Sequence, residues 1–269
     1  MSATSGNARE DDPRRVDGAA LRQSRPSLHE IRAQPLPALG LLDRCLTKAL
    51  CSATMPSFAA IRGLEHIGPE CDPFVLALNH ATRFEAVALP AMLMYHRGGR
   101  RVHFLADWNF QMIPGIGMLY RRSGAIVVMR KSARPRVLNA LKPLFAPAEP
   151  SHVRALAHLR SGRSVGVYPE GTVNRDRGRL MRGRFGAARL SLEAGVPVVP
   201  GGIRIVGGSD RRPLLDVTFG APLQPPPVTA ETVTRADVRN WHSMIMTEIS
   251  RLSGKAWEPL SQEPLHGTA

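Results

Sequence analysis

Six short apolar runs limit how this chain can fold. Residues 74–78, 102–106, 125–129, 165–168, 198–206 and 214–219 are almost wholly apolar, and segments of helical periodicity lie between several of them. A strand apolar on both faces has to be covered on both faces, and alternation with helices is the pattern of an α/β sheet. The expectation is one α/β domain over 37–255, with a mixed, mostly parallel sheet covered by helices. A polar leader (1–36) precedes it and a flexible tail (256–269) follows.

The helical segments carry their own start and stop signals. Ser151 is expected to cap a helix closed by Gly162. Gly195 ends another over 185–194, and Thr234 with Asp237 forms a capping box at the start of the last. Pro200-Gly201-Gly202 is expected to interrupt the strand at 198–206. Ahead of the sheet, residues 38–55 carry Leu41, Leu42, Cys45, Leu46 and Leu50 at helical spacing. That makes an N-terminal amphipathic helix, which suits either a core cover or a membrane surface.

The formal charge of +14 points towards an anionic partner, although only four of the 36 basic residues are lysine and an arginine bias also tracks genome composition. Aromatics make up 5%, too few for a case built on base stacking, and no reading motif supports nucleic-acid binding. Cys45, Cys51 and Cys71 make no CxxC pair, which implies a reducing compartment and neither a disulfide framework nor a metal site. The leader lacks the apolar core of a signal peptide. No window of 18 uncharged apolar residues would span a bilayer.

Three stretches bring chemistry to strand ends, where α/β sheets bind ligands. In LALNHATRFE the apolar run stops at Asn79-His80, and Glu85 follows one and a half helical turns later. If a helix starts after His80, its carboxylate can swing back to orient the imidazole as a general base. Taken alone, the stretch favours a capping histidine with a solvated glutamate. In VGVYPEGTVNRDRGR a strand runs into Pro169-Glu170-Gly171-Thr172 with Arg175, Arg177 and Arg179 behind it, a phosphate cradle or an ordinary polar turn. In GAIVVMR the strand ends on Arg130. Gly162-Arg163-Ser164-Val165-Gly166 fits the formula of a nucleophile elbow, but a helix precedes Ser164 and a strand follows, the reverse of what the elbow needs.

Taken in order, Asn79-His80 with Glu85, the strand ending at Arg130, Tyr168-Pro169-Glu170-Gly171-Thr172 and Val196-Pro197-Val198-Val199-Pro200 resemble the glycerolipid acyltransferases. This is the family of 1-acyl-glycerol-3-phosphate and lysophospholipid acyltransferases. The resemblance covers about residues 60–222. It implies acyl transfer from acyl-CoA or acyl-carrier protein, as co-substrate, to a hydroxyl of a lipid-like acceptor. His80 and Glu85 would be catalytic, and Asn79, Arg130, Glu170, Gly171, Thr172 and Arg175 would bind substrate. No metal or other cofactor is implied. The partners are the acyl donor, the lipid acceptor and an anionic membrane surface, with peripheral attachment to the inner face of the cytoplasmic membrane. Two positions depart from the family pattern: Glu85 stands for an aspartate, and Val173-Asn174 for Arg-Ser. They leave open an acceptor that is an aminolipid, glycolipid or secondary metabolite, or an inactive relative that binds membranes or carrier protein.

Overall fold

A computed structural model describes residues 26–133, 135–209, 212–228 and 231–259. Seven strands form one sheet: β1 (Phe58–Arg62), β2 (Val75–Leu78), β3 (His103–Asp107), β4 (Ile126–Val128), β5 (Val165–Val167), β6 (Val198–Ser209) and β7 (Arg212–Phe219), in the order β1-β7-β6-β2-β5-β3-β4. The run β6-β2-β5-β3-β4 is parallel throughout. β7 pairs antiparallel with β6, and β1 parallel with β7. The sheet is therefore mixed and mostly parallel, as the apolar runs require. Seven helices cover it: α1 (Leu28–Ala33), α2 (Leu41–Thr54), α3 (Glu85–His96), α4 (Ile116–Arg122), α5 (Ser151–Arg160), α6 (Gly186–Ala194) and α7 (Arg235–Ser253).

β2 shows why its sequence has no polar face. Leu76 and Leu78 enter one core with Leu89 and Met92 of α3, while Val75 and Ala77 enter a second with Leu159 of α5, Leu190 of α6 and Trp241 of α7. All four β2 side chains are fully buried. Because five strands run the same way, the carboxyl ends of β2, β5, β3 and β4 share one edge of the sheet. His80, Glu170 and Arg130 follow three of those ends.

The structure differs from the sequence reading in several places. β1 is an additional strand at the sheet margin. Pro150, not Ser151, precedes the first turn of α5, and Ser151 is its first helical residue. β6 runs unbroken through Pro200-Gly201-Gly202, and the glycines serve close approach instead. A Cβ on Gly202 would lie 2.3 Å from the backbone carbonyl carbon of Leu252 at the end of α7. The folded chain also starts before residue 37: α1 has a Ser27–Glu30 capping box, and Ile31 and Leu36 are buried. At the other end Ala256 donates its N–H to Gly178 and Trp257 packs on the second core, so the start of the tail is tied down. Residues 1–25 of the leader and 260–269 of the tail lie outside the described residues.

Ser164, at the false elbow, is buried. Its hydroxyl accepts the Phe74 N–H at 3.0 Å and donates to Asp72, which also receives the buried Arg97 guanidinium at 2.6 Å. It braces the entry to β2 and β5.

Two stability predictions follow from this packing. Gly202→Ala forces α7 off β6 and costs about 1–3 kcal/mol, read as a lower melting temperature; an unchanged melt would mean that α7 is free to shift. Burial also holds His96 and His158 near a pKa of about 4, against an ordinary 6.5. The unfolded chain takes up protons below about pH 6.5 that the folded one refuses until about pH 4, so the stability from these groups is full above that window and falls across it on acidification. The melting temperature should drop between about pH 7 and pH 5, and His96→Leu should shrink the drop.

Candidate active site

The strand β2 ends because Asn79 takes over its ladder with a side chain. Asn79 is buried; its amide donates to the Ile203 carbonyl at 2.9 Å and its oxygen accepts the Ile203 N–H at 2.7 Å. That reproduces a peptide's hydrogen bonds to β6 and frees the main chain to leave the sheet at His80. Both polar groups of the Asn79 amide, expected to contact substrate, are used on β6.

Glu85 opens α3 and has no exposed surface. Its carboxylate meets His80 Nδ1 at 2.8 Å, accepts the N–H of Ala81 at 2.6 Å and of Thr82 at 2.8 Å, and takes the Thr82 hydroxyl at 3.1 Å. Thr82 Oγ1 in turn accepts the N–H groups of Phe84 and Glu85. This reciprocal Thr82–Glu85 arrangement has the logic of a capping box. Four donors offset the burial of the charge, which would otherwise be prohibitive. With an ionised carboxylate at Nδ1, that nitrogen carries the proton and Nε2 keeps its lone pair. The ring is fixed from the side as well, stacked on Tyr168 with centroids 4.4 Å apart, and Tyr168 stacks on Phe104.

Glu170 is the second buried carboxylate. One oxygen accepts the His80 N–H at 2.8 Å; the other accepts the Asn174 amide at 2.6 Å and the Met181 N–H at 2.9 Å. Asn174 also donates its own N–H to the His80 carbonyl at 2.8 Å. The loop after β5 is thus strapped to the loop after β2. Glu170, expected to contact substrate, holds His80, and both of its oxygens take protein donors. Asn174, a departure from the family pattern, is buried inside this strap.

The remaining predicted residues are spread more widely. Gly171 adopts φ 67°, and a Cβ there would lie 2.9 Å from Arg184 Nε. Its N–H is used on the Tyr168 carbonyl, whereas Thr172 and Val173 have no hydrogen-bond partner for theirs among the described residues. Thr172 and Arg175 are exposed. Arg130 is exposed at the end of β4, three strand positions from β2, or roughly 14 Å at ordinary strand spacing. It shares the edge with His80 but does not adjoin it. Sequence reasoning missed Thr82, Tyr168, Asn174 and Arg184 as parts of the site. The Thr82-x-x-Glu85 spacing was a readable signal for the first; the others are brought in by tertiary contact.

Beside the pair, an apolar groove runs along α3 from Ala86 and Val87 past Pro90 and Ala91. Leu46 and Leu50 of α2, Phe104, and Leu119 of α4 wall it. Among the described residues no cluster of three or more His, Cys, Asp or Glu is arranged to hold a metal ion.

A sequence model described as Acyltransferase matches residues 59–204, more than half of the chain, including His80, Glu85, Arg130 and Glu170. The chain belongs to the acyltransferase family. It is 29% identical over 140 residues to a chloroplastic 1-acyl-sn-glycerol-3-phosphate acyltransferase of Brassica napus, covering 52% of this chain and 35% of that protein. It is 30% identical over 96 residues to the 1-acyl-sn-glycerol-3-phosphate acyltransferase of Borreliella burgdorferi, covering 36% of this chain and 33% of that one. The chain thus spans about a third of the length of these curated relatives. The crystal structure of the 1-acyl-sn-glycerophosphate acyltransferase PlsC of Thermotoga maritima shares the fold, with a TM-score of 0.53 at 17% identity over 86% of this chain and 81% of that one.

The strap around His80 is open to test with an isosteric change. Glu170→Gln sets an amide NH₂ against one or two of the three donors, depending on which way it turns. It should cost about 1–3 kcal/mol in denaturant unfolding; an unmoved midpoint would mean that the carboxylate does not hold the two loops together.

Proposed function

We propose that this chain transfers a fatty acyl group from an acyl thioester, acyl-CoA or acyl-carrier protein, to a hydroxyl of a lysophospholipid-like acceptor. The observation that carries the proposal is the His80–Glu85 pair: an imidazole at a sheet edge, with its Nδ1 held by a buried carboxylate and its Nε2 lone pair left for a substrate. Membership of the acyltransferase family and relatives named 1-acyl-sn-glycerol-3-phosphate acyltransferases support the choice of reaction and acceptor.

In this reading His80 Nε2 takes the proton of the acceptor hydroxyl as its oxygen attacks the thioester carbonyl carbon. The carbonyl π-electrons move onto oxygen, and the unused N–H groups of Thr172 and Val173 are the donors available to that charge. Collapse expels the thiolate, which takes the proton back from the imidazolium, leaving an ester and a free thiol. Glu85 faces the ring while it carries positive charge. The groove along α3 begins one residue beyond Glu85 and suits an acyl chain. Arg184 over the Gly171 turn, with Arg175, is the cation set nearest to the loop for an acceptor phosphate, and Arg130 serves a group farther along the edge. Placing Asn174 in the strap supports reading that departure as a change of scaffold, with a glycerophosphate acceptor kept. No helix among the described residues is long and apolar enough to cross a membrane. Peripheral attachment to an anionic membrane, on the inner face of the cytoplasmic membrane, belongs to the same proposal.

Purified His80→Ala should lose at least about 100-fold in transfer of a labelled acyl group; wild-type turnover would exclude the general-base role. Glu85→Gln should lose the rate similarly. Glu85→Asp, which draws the carboxylate back by about 1.5 Å, should fall between it and the wild type. Equal rates for all three would remove Glu85 from the mechanism.

A further inference from the structure

Residues 136–145 form a ten-residue 3₁₀ segment, RVLNALKPLF, in which six side chains are apolar and none is buried. Val137 is 75% exposed, Leu144 79% and Leu141 41%. The segment is nevertheless held in place. Phe145 packs on Trp108 with centroids 5.9 Å apart, and the Asn139 side chain accepts the Ala133 N–H at 2.8 Å. Trp108 directly follows β3 and the segment follows β4, so both anchors lie at the carboxyl edge of the sheet, the edge that carries His80. Ile113, beyond the same Trp108 turn, adds a further exposed apolar side chain at 43%.

The charge around this segment has one sign. From Trp108 to Ala148 the sequence holds seven Lys and Arg and no Asp or Glu. Arg122 and Lys131 are paired with Asp43 and Asp107. Arg130, Arg136 and Lys142 have no ion-pair partner among the described residues. Apolar side chains held outward within a basic field match an anionic bilayer, whose headgroups take the cations while its acyl boundary takes the apolar groups.

We propose that residues 136–145 are a membrane-docking element that seats the His80 edge of the sheet against an anionic lipid surface. The amphipathic helix that the sequence offers as either a core cover or a membrane surface, α2, is oriented the other way. Its exposed Leu41 and Leu42 adjoin Asp43, which is bound to Arg101 and Arg122 ahead of β3 and β4. They lie at the amino edge, a strand length or roughly 16 Å from the catalytic pair, and the buried face of α2 packs on α3 through Cys51. Docking through 136–145 presents the site directly to acceptors in the bilayer. The docking does not rest on the acyltransferase reading; its effect on turnover does.

The test is co-sedimentation of the full chain with phosphatidylglycerol-containing vesicles and with phosphatidylcholine vesicles alone, at low and high salt. The wild type should bind the anionic vesicles, and more weakly at high salt. The combined variant Val137→Ser, Leu141→Ser, Leu144→Ser changes exposed positions and should melt as the wild type does, yet lose about tenfold or more of this binding. Leu41→Ser with Leu42→Ser should bind normally. Transfer to a vesicle-embedded acceptor should fall in the triple variant in step with binding, while transfer to a short-chain, water-soluble acceptor stays unchanged. Wild-type binding by the triple variant, or loss confined to the Leu41/Leu42 variant, would overturn the proposal. So would a wild-type dimer that the triple variant dissolves, since the occupant would then be a second copy. No transfer to the soluble acceptor by any form would defeat the acyltransferase reading and leave the docking result standing.

Discussion

The Glu85 carboxylate is the interaction on which the rest of the site depends. A fully buried charge with no cation against it is tolerated only where neutral donors converge on it, and here the chain supplies them from three successive residues. The same contacts that stabilise the carboxylate set the course of the main chain through 80–82, start α3 and fix the face of the imidazole. Glu85 thus acts on the helix, the loop and the ring together. The Glu85 side chain, already inside the first helical turn, reaches back over Thr82 to His80.

Glu170 repeats the device on the backbone of the same residue. Its oxygens take the His80 N–H and two donors from its own loop, so His80 is held by its ring from one side and by its main chain from the other. Two buried carboxylates therefore lie around the His80 imidazole, which in the proposed reaction carries positive charge during proton transfer. Their fields favour that charge, and their rigid hydrogen bonding means that little reorganisation accompanies it. Asn79 makes this possible one residue earlier, since β2 could not release the chain there if its ladder partner on β6 were left unpaired.

How much of this was legible in the sequence depends on the range of the contact. The strands facing two cores declared themselves as apolar runs, because burial on both faces leaves no room for polar residues. β1 did not, since FAAIR is short, half alanine-like in character and ends on an arginine at the sheet margin. The Thr82-x-x-Glu85 box spans three residues and was there to be read. The Asn79–Ile203 and His80–Glu170 contacts join residues 124 and 90 positions apart. Nothing local in either segment signals its partner, so the sequence offered Asn79 and Glu170 as substrate contacts and gave no sign that both are buried. The basic, apolar segment 136–145 escaped for another reason. Its apolar residues suggest a core, and only the structure reveals that no core receives them.

An acyl-enzyme intermediate is the alternative to direct attack on the thioester. Such a route needs a nucleophile beside the base. Ser164 is committed to Asp72 and Phe74 at the opposite end of β5. Cys51 is buried against the Ala91 carbonyl, and burial pushes its thiol up to about 12, so it does not form a thiolate at neutral pH. The Thr82 hydroxyl, in the loop itself, donates to Glu85 and accepts two backbone N–H groups. Tyr168 stacks on the imidazole, but its enclosed hydroxyl is pushed well above the ordinary range by desolvation and stays protonated. Each of these four side chains is either spent on structure or held in its unreactive form. In the proposed reaction the attacking oxygen then arrives with the acceptor, and direct attack on the thioester is the route consistent with this geometry.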